Sequence, residues 1–407
     1  MSSDDWLMLD FEISRLFDGA PVDEEQMFAG RLNEVTKMLR TVMERSRHVV
    51  LFGERGVGKT SLSNIFWRRY GKTLQSFVVA RVQTGPQDDF SSLWIRALEE
   101  LKSVATGSGK GDYVPIQTEF ESLTPSQVRR ELQKISPNAL PVVIIDEYDK
   151  LGNRDAKILT ANLIKELYDF SITTTVILVG VAENISELVE DHASTDRAIV
   201  QVPLNRMSED ELKEIIYQRV SQTPMKFTPD AILTIVILSR GLPFFTQVLS
   251  KHAALNAIEQ RKLTVTNADV DAAMTRFIND TEVSFRDAYR AATRTNQKSN
   301  LQESLLACAL AKCDDEGFFK ATDVVEPYSA IMRDKKRIAH FEKHLRRFSS
   351  EDGGNVLVKR GGERQQTFRF ADPMMQPYVI IRGIQTGMID EMAKKLLLQK
   401  QQGELPI

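Results

Sequence analysis

A glycine-rich loop constrains the fold of this chain more than any other feature. It lies between an apolar run, His48–Phe52, and a helical pattern over Lys59–Tyr70. Between a strand and a helix, glycines let backbone N–H groups turn toward phosphates, and the helix dipole adds attraction for anions. We therefore predict a phosphate-binding loop, formed by Gly53, Glu54, Arg55, Gly56, Val57, Gly58, Lys59, Thr60 and Ser61.

The pattern around this loop predicts an α/β fold. Apolar runs over residues 76–82, 141–145, 173–179 and 198–202 alternate with helical patterns. Such alternation is typical of a parallel sheet with helices on both faces. The chain is therefore expected to contain a P-loop parallel sheet.

Beyond about residue 204 the sequence changes character. Residues 208–279 are helical in pattern without a convincing strand. From about residue 300 the pattern gives two helices, a basic helix over 334–348 and two strands around Gly361-Gly362, which suggests a winged helix. The predicted domains are a core at 1–203 with an N-terminal extension at 1–27, a helical lid at 204–299, a winged helix at 300–384 and a helical tail at 385–407.

Composition is that of an ordinary soluble protein, with 42% hydrophobic and 27% charged residues and a net charge of −3. The start of the chain lacks a signal-peptide pattern, and no apolar run approaches the roughly 20 residues of a spanning helix. The two cysteines have no neighbouring ligand cluster and are expected to be reduced thiols. We expect no membrane association and a cytoplasmic location.

A second motif places acids at the end of an apolar run. Val142–Ile145 is followed directly by Asp146 and Glu147. Parallel sheets bind ligands at the carboxyl ends of their strands, so these acids are expected beside the phosphate loop. Asp146 and the Thr60 hydroxyl suit Mg²⁺, and Glu147 suits the base that orients and deprotonates a water.

Lys59 completes this chemistry by reaching the β- and γ-phosphates. The sequence therefore predicts an ATPase with ATP and Mg²⁺ as cofactors.

These motifs together resemble the AAA+ ATPases. Phe28–Glu34 is similar to the "F-x-G-R-x-x-E" motif of the initiator-like branch, which includes origin-recognition, archaeal initiator and TniB-type proteins. Asp146–Leu151 resembles its "D-E-x-D-x-L" box, and Ile177–Asn184 its sensor-1 strand. The resemblance covers residues 28–280 and, more loosely, extends to about 385.

The resemblance implies roles for four further residues. Arg31 would line the adenine pocket, and Asn184, or its neighbour Glu183, would be the sensor-1 residue near the γ-phosphate. Arg197 would be an arginine finger reaching the site of a neighbouring subunit, so that active sites form between copies in a homo-oligomer or hetero-assembly. Pro243 belongs to the lid motif.

The lid motif departs from the family pattern. The family often has "G-x-P-R" here, whereas this chain reads Gly241-Leu242-Pro243-Phe244. The missing arginine is a feature of the STAND signalling ATPases, which work as slow nucleotide-held switches. Low basal turnover is therefore expected.

The region 331–370 is strongly basic. It has eleven Lys or Arg and five Asp or Glu, a net charge of +6. A local basic patch of this kind is the electrostatic footprint of a nucleic-acid contact. The candidate duplex-DNA contacts are Lys336, His340, Lys343 and Arg347 on the expected recognition helix, and Lys359 and Arg360 at the wing.

Two functional hypotheses follow. In the first, an initiator-like AAA+ switch assembles with ATP, binds DNA through the winged helix and recruits an effector protein. In the second, a STAND-like signalling ATPase, for example in phage defence, uses the winged helix to bind a protein. The basic region favours the first hypothesis, and the missing lid arginine favours the second. A third alternative also stays open, an ATPase whose C-terminal unit serves only in oligomerisation.

Overall fold

The computed structural model describes residues 1–19, 28–71, 77–107, 121–135, 139–182, 185, 188–189, 195–280, 283–295, 299–362 and 366–389. The chain divides into two compact units. We call Pro21–Glu54 with Gly58–Asn205 the sheet unit. We call Met1–Ala20, Arg55–Val57 and Arg206–Ile407 the helical unit.

The elements are numbered along the chain. Up to residue 205 they are α1 (Ser3–Leu16), α2 (Leu32–Met43), β1 (His48–Gly53), α3 (Lys59–Gly71), β2 (Phe77–Gln83), α4 (Phe90–Gly107), α5 (Pro125–Ile135), β3 (Leu140–Asp146), α6 (Arg154–Asp169), β4 (Thr175–Val181) and β5 (Ile199–Pro203). Beyond it they are α7 (Glu209–Val220), β6 (Lys226–Phe227), α8 (Pro229–Ser239), α9 (Pro243–Glu259), β7 (Thr264–Val265), α10 (Asn267–Asp280), α11 (Val283–Thr293), α12 (Leu301–Leu310), β8 (Phe319–Lys320), α13 (Ala321–Met332), α14 (Glu342–Phe348), β9 (Leu357–Arg360), β10 (Thr367–Phe370) and α15 (Met375–Gln385).

The sheet unit is built on a five-stranded sheet in the order β2-β3-β4-β1-β5, and every pairing is parallel. Its three inner strands are almost wholly buried, which explains why they read as continuous apolar runs. Each predicted strand is confirmed to within two residues. Because the strands are parallel, Gly53, Gln83, Asp146 and Val181 end at the same edge of the sheet.

In the middle of the helical unit, two helices begin at the capping residues that the sequence indicated. Ser208 caps α7 in a capping box, and the Thr228 side chain accepts from the Ala231 N–H at the start of α8. The expectation of no strand over residues 208–279 is wrong, because β6 and β7 pair in parallel. Two-residue strands are too short to produce a periodic pattern in the sequence.

The last part of the helical unit has the order helix, strand, helix, helix, strand, strand from α12 to β10. The strands form an antiparallel sheet in the order β8-β10-β9. The two strands around Gly361 are confirmed, and β8 was not expected.

The basic helix expected over residues 334–348 is confirmed only from Glu342 to Phe348. Helix α13 ends at Met332, Arg333 adopts a left-handed φ of 51°, and α14 begins only at Glu342. Between these two helices, side chains accept from backbone N–H groups that a continuous helix would pair with carbonyls. Ser329 Oγ accepts from the Lys336 N–H at 3.0 Å, and His340 Nδ1 accepts from the Arg337 N–H at 3.0 Å.

Two segments near the chain ends differ from expectation. Residues 1–27 showed only weak patterning, yet Ser3–Leu16 forms α1 behind a Ser2–Asp5 capping box. The tail helix was expected from Gln385, where α15 instead ends; residues 386–388 form a turn with Gly387 at a φ of 70°. Residues 390–402 of that expected helix lie outside the described residues.

Within the described ranges, no helix is both long and apolar enough to cross a membrane.

His48 makes the stability of the sheet unit dependent on pH. Its ring is fully buried at the start of β1, and Nδ1 accepts a hydrogen bond from the Val176 N–H at 3.0 Å. Burial, together with the nearby Arg47 charge, lowers the pKa of His48 to about 3. The folded protein therefore holds this ring neutral while the unfolded chain protonates it below about pH 6.5.

We predict that His48 adds about 1.4 kcal/mol per pH unit to the loss of unfolding free energy as the pH falls from about 6 toward 4. The stabilisation is complete above pH 6.5 and is lost as the pH approaches 3. Urea titrations of the native chain and His48→Gln at several pH values measure this slope. Equal slopes in both proteins would contradict the assignment.

Candidate functional site

The phosphate loop has a backbone that only glycine can supply at its first position. Gly53 has a φ of 154°, and a Cβ built there would lie 2.2 Å from the carbonyl oxygen of Leu204. The Leu204 N–H in turn donates to the Phe52 carbonyl at 2.7 Å. The end of β1 is thus fixed against the segment that follows β5, and the loop starts from a defined position.

Lys59 is held inside the loop. Only 8% of the residue is exposed, and its Nζ donates to the carbonyls of Gly53 at 3.0 Å and Glu54 at 2.7 Å. A compact ammonium held by loop carbonyls places positive charge beside the N-terminus of α3. Both features attract an anion.

Asp146 meets the same loop from the end of β3. Its carboxylate accepts a hydrogen bond from the Thr60 side chain and another from the Glu147 N–H, the latter at 2.9 Å. Burial raises the pKa of Asp146, while the Glu147 N–H, Thr60 and the Arg81 guanidinium, 3.7 Å away, oppose that rise. The two residues expected to bind metal are therefore in contact.

The donor set suits Mg²⁺ better than a metal that needs several protein ligands. Among the described residues, no group of three His, Cys, Asp or Glu side chains could hold a metal by itself. Mg²⁺ typically takes one or two protein oxygens and completes its shell with phosphates and water. Thr60 and Asp146 supply such oxygens beside a loop built for phosphate.

Glu147 is the next residue but lies in a different environment. It adopts a left-handed φ of 55°, and its carboxylate accepts from Gln83 Nε2 at 2.7 Å and from Lys150 Nζ at 2.6 Å. The Thr84 hydroxyl donates to its carbonyl at 2.5 Å. Glu147 also lines an open pocket of about 450 Å³ with the loop that follows β2.

Gln83, Thr84 and Arg81 were not singled out from the sequence. All three belong to β2 or follow it directly, and β2 pairs with β3 so that Gln83 lies opposite Asp146. The sheet order, which the sequence does not state, brings them to the acids. The signal that could have indicated them is a polar residue at the end of a strand that neighbours the acidic strand.

Arg31 lies elsewhere in the sheet unit, in a constrained backbone position. It has a φ of 62° at the start of α2, it is 6% exposed, and its Nη2 donates to the Asn205 carbonyl at 2.5 Å. Its role at an adenine pocket stays a prediction. The contact shows that Arg31 holds the chain where it leaves β5.

Arg197 lies at the edge of the sheet opposite the phosphate loop. It lies two residues before β5, whose first residue, Ile199, pairs with His48 at the start of β1. The loop follows the other end of β1, six residues and roughly 20 Å away. Arg197 is exposed and cannot reach the phosphate loop of its own chain. Asn184 and Glu183 lie outside the described residues.

Two arginines outside the lid motif make contacts within the helical unit. Pro243 is the first residue of α9. Arg240, three residues before Pro243, donates from Nη2 to the Ala311 carbonyl at 2.9 Å. Arg206, which follows β5, donates from Nη1 to Gln376 Oε1 at 2.7 Å. Burial lowers the pKa of Arg240. Arg240 is thus committed to a structural contact.

The candidate DNA contacts do not form the single helical stripe expected. Lys336 and His340 precede α14, and Arg347 turns inward to donate to the Arg294 carbonyl at 3.1 Å. Lys343 on α14 and Lys359 on β9 are exposed.

Arg360, on the same strand as Lys359, pairs with Glu316 at 2.9 Å, with 58% of its side chain exposed. Of the six candidates, His340, Lys343, Lys359 and Arg360 are therefore exposed, and Lys336 and Arg347 are half-buried.

We predict that Asp146→Asn leaves the melting temperature of the free protein equal or higher at pH 7, because burial disfavours the charged carboxylate. The same change is expected to abolish the extra stabilisation that Mg²⁺ gives in the presence of ATP. Thermal melts with ATP and with ATP plus Mg²⁺ measure both effects, with Asp155→Asn on the exposed start of α6 as the matched control. A lower melting temperature together with full Mg²⁺ dependence would contradict the assignment.

Comparison with known proteins agrees with this geometry. Residues 42–189 match the AAA domain family. The ORC1 protein of Aeropyrum pernix, solved in complex with DNA, has the same fold at 15% identity, with 96% of each chain covered and a TM-score of 0.50. The ORC2 protein of the same organism matches at 13% identity over 96% of this chain and 98% of its own, with a TM-score of 0.53.

A Walker-type ATPase of Pyrococcus abyssi matches at 17% identity, with 89% of this chain and 99% of that one covered and a TM-score of 0.53. Residues 42–189 therefore match the AAA domain family, and the chain as a whole has the same fold as these solved structures.

Proposed function

We propose that this protein binds ATP with Mg²⁺ and hydrolyses it slowly, as a switch that controls an assembly. One observation carries the proposal. The Thr60 side chain and the Asp146 carboxylate are hydrogen-bonded beside a phosphate loop that already holds Lys59, and Glu147 follows Asp146 directly. The AAA domain match covers all four residues.

Each residue has a distinct task in the proposed reaction. Loop N–H groups and Lys59 bind the phosphates, and Thr60 and Asp146 would hold Mg²⁺, which neutralises charge on the transferred group. Glu147 would orient a water and accept its proton.

Slow turnover is supported by the contacts of Glu147. Gln83 and Lys150 both donate to its carboxylate, and Lys150 also offsets its charge. A base held in this way must give up at least one hydrogen bond before it can accept a proton. The described lid motif adds no arginine after Pro243 to speed the reaction.

We predict that Gln83→Ala raises the basal kcat about fivefold, because one net hydrogen bond of about 1 kcal/mol no longer holds Glu147 in place. Phosphate release under saturating ATP measures the effect. Gln87→Ala, on the same pocket wall but without a contact to Glu147, is the control. A fall in kcat to the level of Glu147→Gln would mean that Gln83 supports the base instead of restraining it.

Assembly is proposed to complete the site. Because Arg197 lies at the sheet edge away from its own phosphate loop, any contact it makes with a γ-phosphate must be with that of another chain. A guanidinium supplied in this way stabilises charge in the transition state. Hydrolysis would then depend on how many copies are joined.

We predict that Arg197→Ala keeps the affinity for ATP but removes the dependence of kcat on protein concentration, a loss of at least about tenfold at saturation. Nucleotide titration and ATPase assays over a range of protein concentrations measure the two quantities. Arg154→Ala, on α6, is the control arginine. A concentration-dependent kcat that survives in Arg197→Ala would contradict the role.

We further propose that α12 to β10 form a winged helix that contacts duplex DNA. Support comes from the order of elements, from the net charge of +6 over residues 331–370, and from the exposure of Lys343 and Lys359. The ORC1 protein of the same fold was solved with DNA. The contacts would be mainly with phosphates, since α14 has only seven residues.

We predict that Lys343→Ala and Lys359→Ala each reduce the slope of log K against log salt for duplex DNA by about one. Arg347→Ala is expected to leave that slope unchanged and to lower stability, because its guanidinium holds the Arg294 carbonyl. Fluorescence anisotropy across a salt series measures the slopes. If all three changes reduced the salt slope equally, or if none of them changed it, the assignment of Lys343 and Lys359 as the phosphate contacts would be contradicted.

The second candidate is a STAND-like signalling switch, and the contacts of Arg240 favour it. The Arg240 guanidinium donates to the Ala311 carbonyl. The arginine nearest the lid motif is therefore already engaged and does not contact a phosphate in this function. In this function the C-terminal elements would bind an effector protein. Size-exclusion with ATP, with and without duplex DNA, separates the two: assembly that needs both supports the first function, and assembly indifferent to DNA supports the second.

A further inference from the structure

Helix α1 has large apolar side chains on two opposite faces. The helix packs against α9, and three residues of its inner face are at most 3% exposed, namely Leu9, Ile13 and Leu16. On the outer face, Leu7, Met8 and Phe11 are 55%, 66% and 59% exposed. Three large apolar side chains grouped on neighbouring turns exceed the scattered exposure that is normal for a protein surface. The outer face of α1 therefore has the character of an interaction surface.

Two charged residues of opposite sign lie at the ends of this apolar group. Asp4, Met8, Phe11 and Arg15 follow one another at intervals of four, three and four residues, and this spacing keeps side chains on one face of a helix. Asp4 and Arg15 are both exposed. We call Asp4, Leu7, Met8, Phe11 and Arg15 the α1 seam.

The α1 seam is held in a fixed position. The helix begins with a reciprocal Ser2–Asp5 capping box, and at its other end the nearly buried Arg219 Nε donates to the Leu16 carbonyl at 2.9 Å. Phe17 is fully buried just beyond it. Because both ends are anchored, the exposed face is a fixed feature of the helical unit.

The order of residues in the seam makes it complementary to itself. In an antiparallel pair of helices, residue numbers rise along one helix as they fall along the other. If Met8 of one copy lies opposite Phe11 of a second copy, Asp4 of the first then lies opposite Arg15 of the second. A twofold axis repeats both contacts, so that two apolar contacts lie between two ion pairs. A parallel pair would instead place Asp4 against Asp4 and Arg15 against Arg15.

The other acids of α1 do not lie in the seam. Residues 3–16 contain four Asp or Glu and one Arg, a net charge of −3. At about 100° per residue, Asp5, Asp10 and Glu12 point at least about 70° away from the middle of the seam, and salt screens the repulsion between such charges. The same net charge disfavours nucleic acid and an anionic lipid surface as occupants. A second α1 seam is therefore the occupant that matches both the apolar group and its charged ends.

We propose that two copies of this chain pair through their α1 seams, with the two helices antiparallel. Met8 of each copy packs on Phe11 of the other, and Asp4 of each forms an ion pair with Arg15 of the other. The interface is isologous, because both copies use the same surface. It is distinct from the head-to-tail contact proposed for Arg197, and it depends neither on ATP hydrolysis nor on DNA binding.

The pairing is expected to be weak. Each copy contributes three large apolar side chains and two charged ones, which is fewer than the roughly 20–30 residues per partner of a standard interface. Interfaces of less than about 1,200 Å² typically belong to weak or transient complexes. We therefore expect monomer and dimer to exchange, with the dimer favoured at high protein concentration.

Analytical ultracentrifugation of the full-length protein tests the pairing. Nucleotide is left out, so that ATP-dependent assembly does not contribute. The average mass is expected to rise from that of a monomer toward that of a dimer over roughly 1–200 µM protein, a range suited to a weak interface.

Phe11→Glu should weaken this self-association at least about tenfold, because it places two carboxylates in the apolar centre of the paired seams. Tyr217→Glu, at a side chain that is 57% exposed on α7, is the matched control. A monomer at every concentration, or self-association that Phe11→Glu leaves unchanged, would overturn the proposal and leave the outer face of α1 to a partner of another kind.

Charge reversal tests the antiparallel register. Arg15→Asp alone and Asp4→Arg alone should each weaken self-association about tenfold, since both ion pairs then become repulsive contacts. An equimolar mixture of the two variants should form a heterodimer, because its two charged contacts are again attractive. The double variant, Asp4→Arg with Arg15→Asp, should pair with itself as the native chain does.

The mixture also serves as the control for folding, because a variant that had lost α1 could not regain pairing when mixed. In a parallel pair, each single change would leave like charges facing each other, and self-association would be unaltered. Single variants that associate as the native chain does, or a mixture that stays monomeric, would therefore overturn the proposal.

Discussion

The hydrogen bond between Thr60 and the Asp146 carboxylate is the contact on which the site depends. It joins the first turn of α3 to the end of β3, two points separated by 86 positions along the chain. Only the strand order β2-β3-β4-β1-β5 makes this possible, because it brings the ends of β1 and β3 to one edge with β4 between them. The packing of the sheet thus determines that the Thr60 side chain lies beside the Asp146 carboxylate.

Burial gives the two neighbouring acids different chemistry. Asp146 is 7% exposed and its pKa is raised by loss of solvent, whereas Glu147 is more open and is held by Gln83 and Lys150. A buried acid of this kind favours a cation that can replace the missing water. The more open acid is suited to proton transfer, once its two donors move.

Much of this could be predicted from the sequence, and the failures have physical causes. Buried parallel strands produce continuous apolar runs, so β1 and β3 were evident, and the glycine spacing indicated the loop. The contacts of Gln83 and Arg81 could not be predicted, since they depend on strand order. Arg347 was expected in an exposed stripe, but its guanidinium donates to the Arg294 carbonyl. The first half of the expected helix is absent because Ser329 and His340 accept from the backbone there. Helix α1 was not predicted because it has apolar residues on two opposite faces, which weakens the helical periodicity of the sequence.

The position of Arg197 has a topological consequence. Arg197 and the phosphate loop lie at opposite edges of the sheet. If Arg197 completes a phosphate site, it must complete that of the next copy, and the two copies must then meet head to tail through a heterologous interface. In an open row of copies, one terminal site always stays incomplete, whereas a closed ring completes every site. If Arg197 acts in this way, the activity per chain reports whether the assembly has closed.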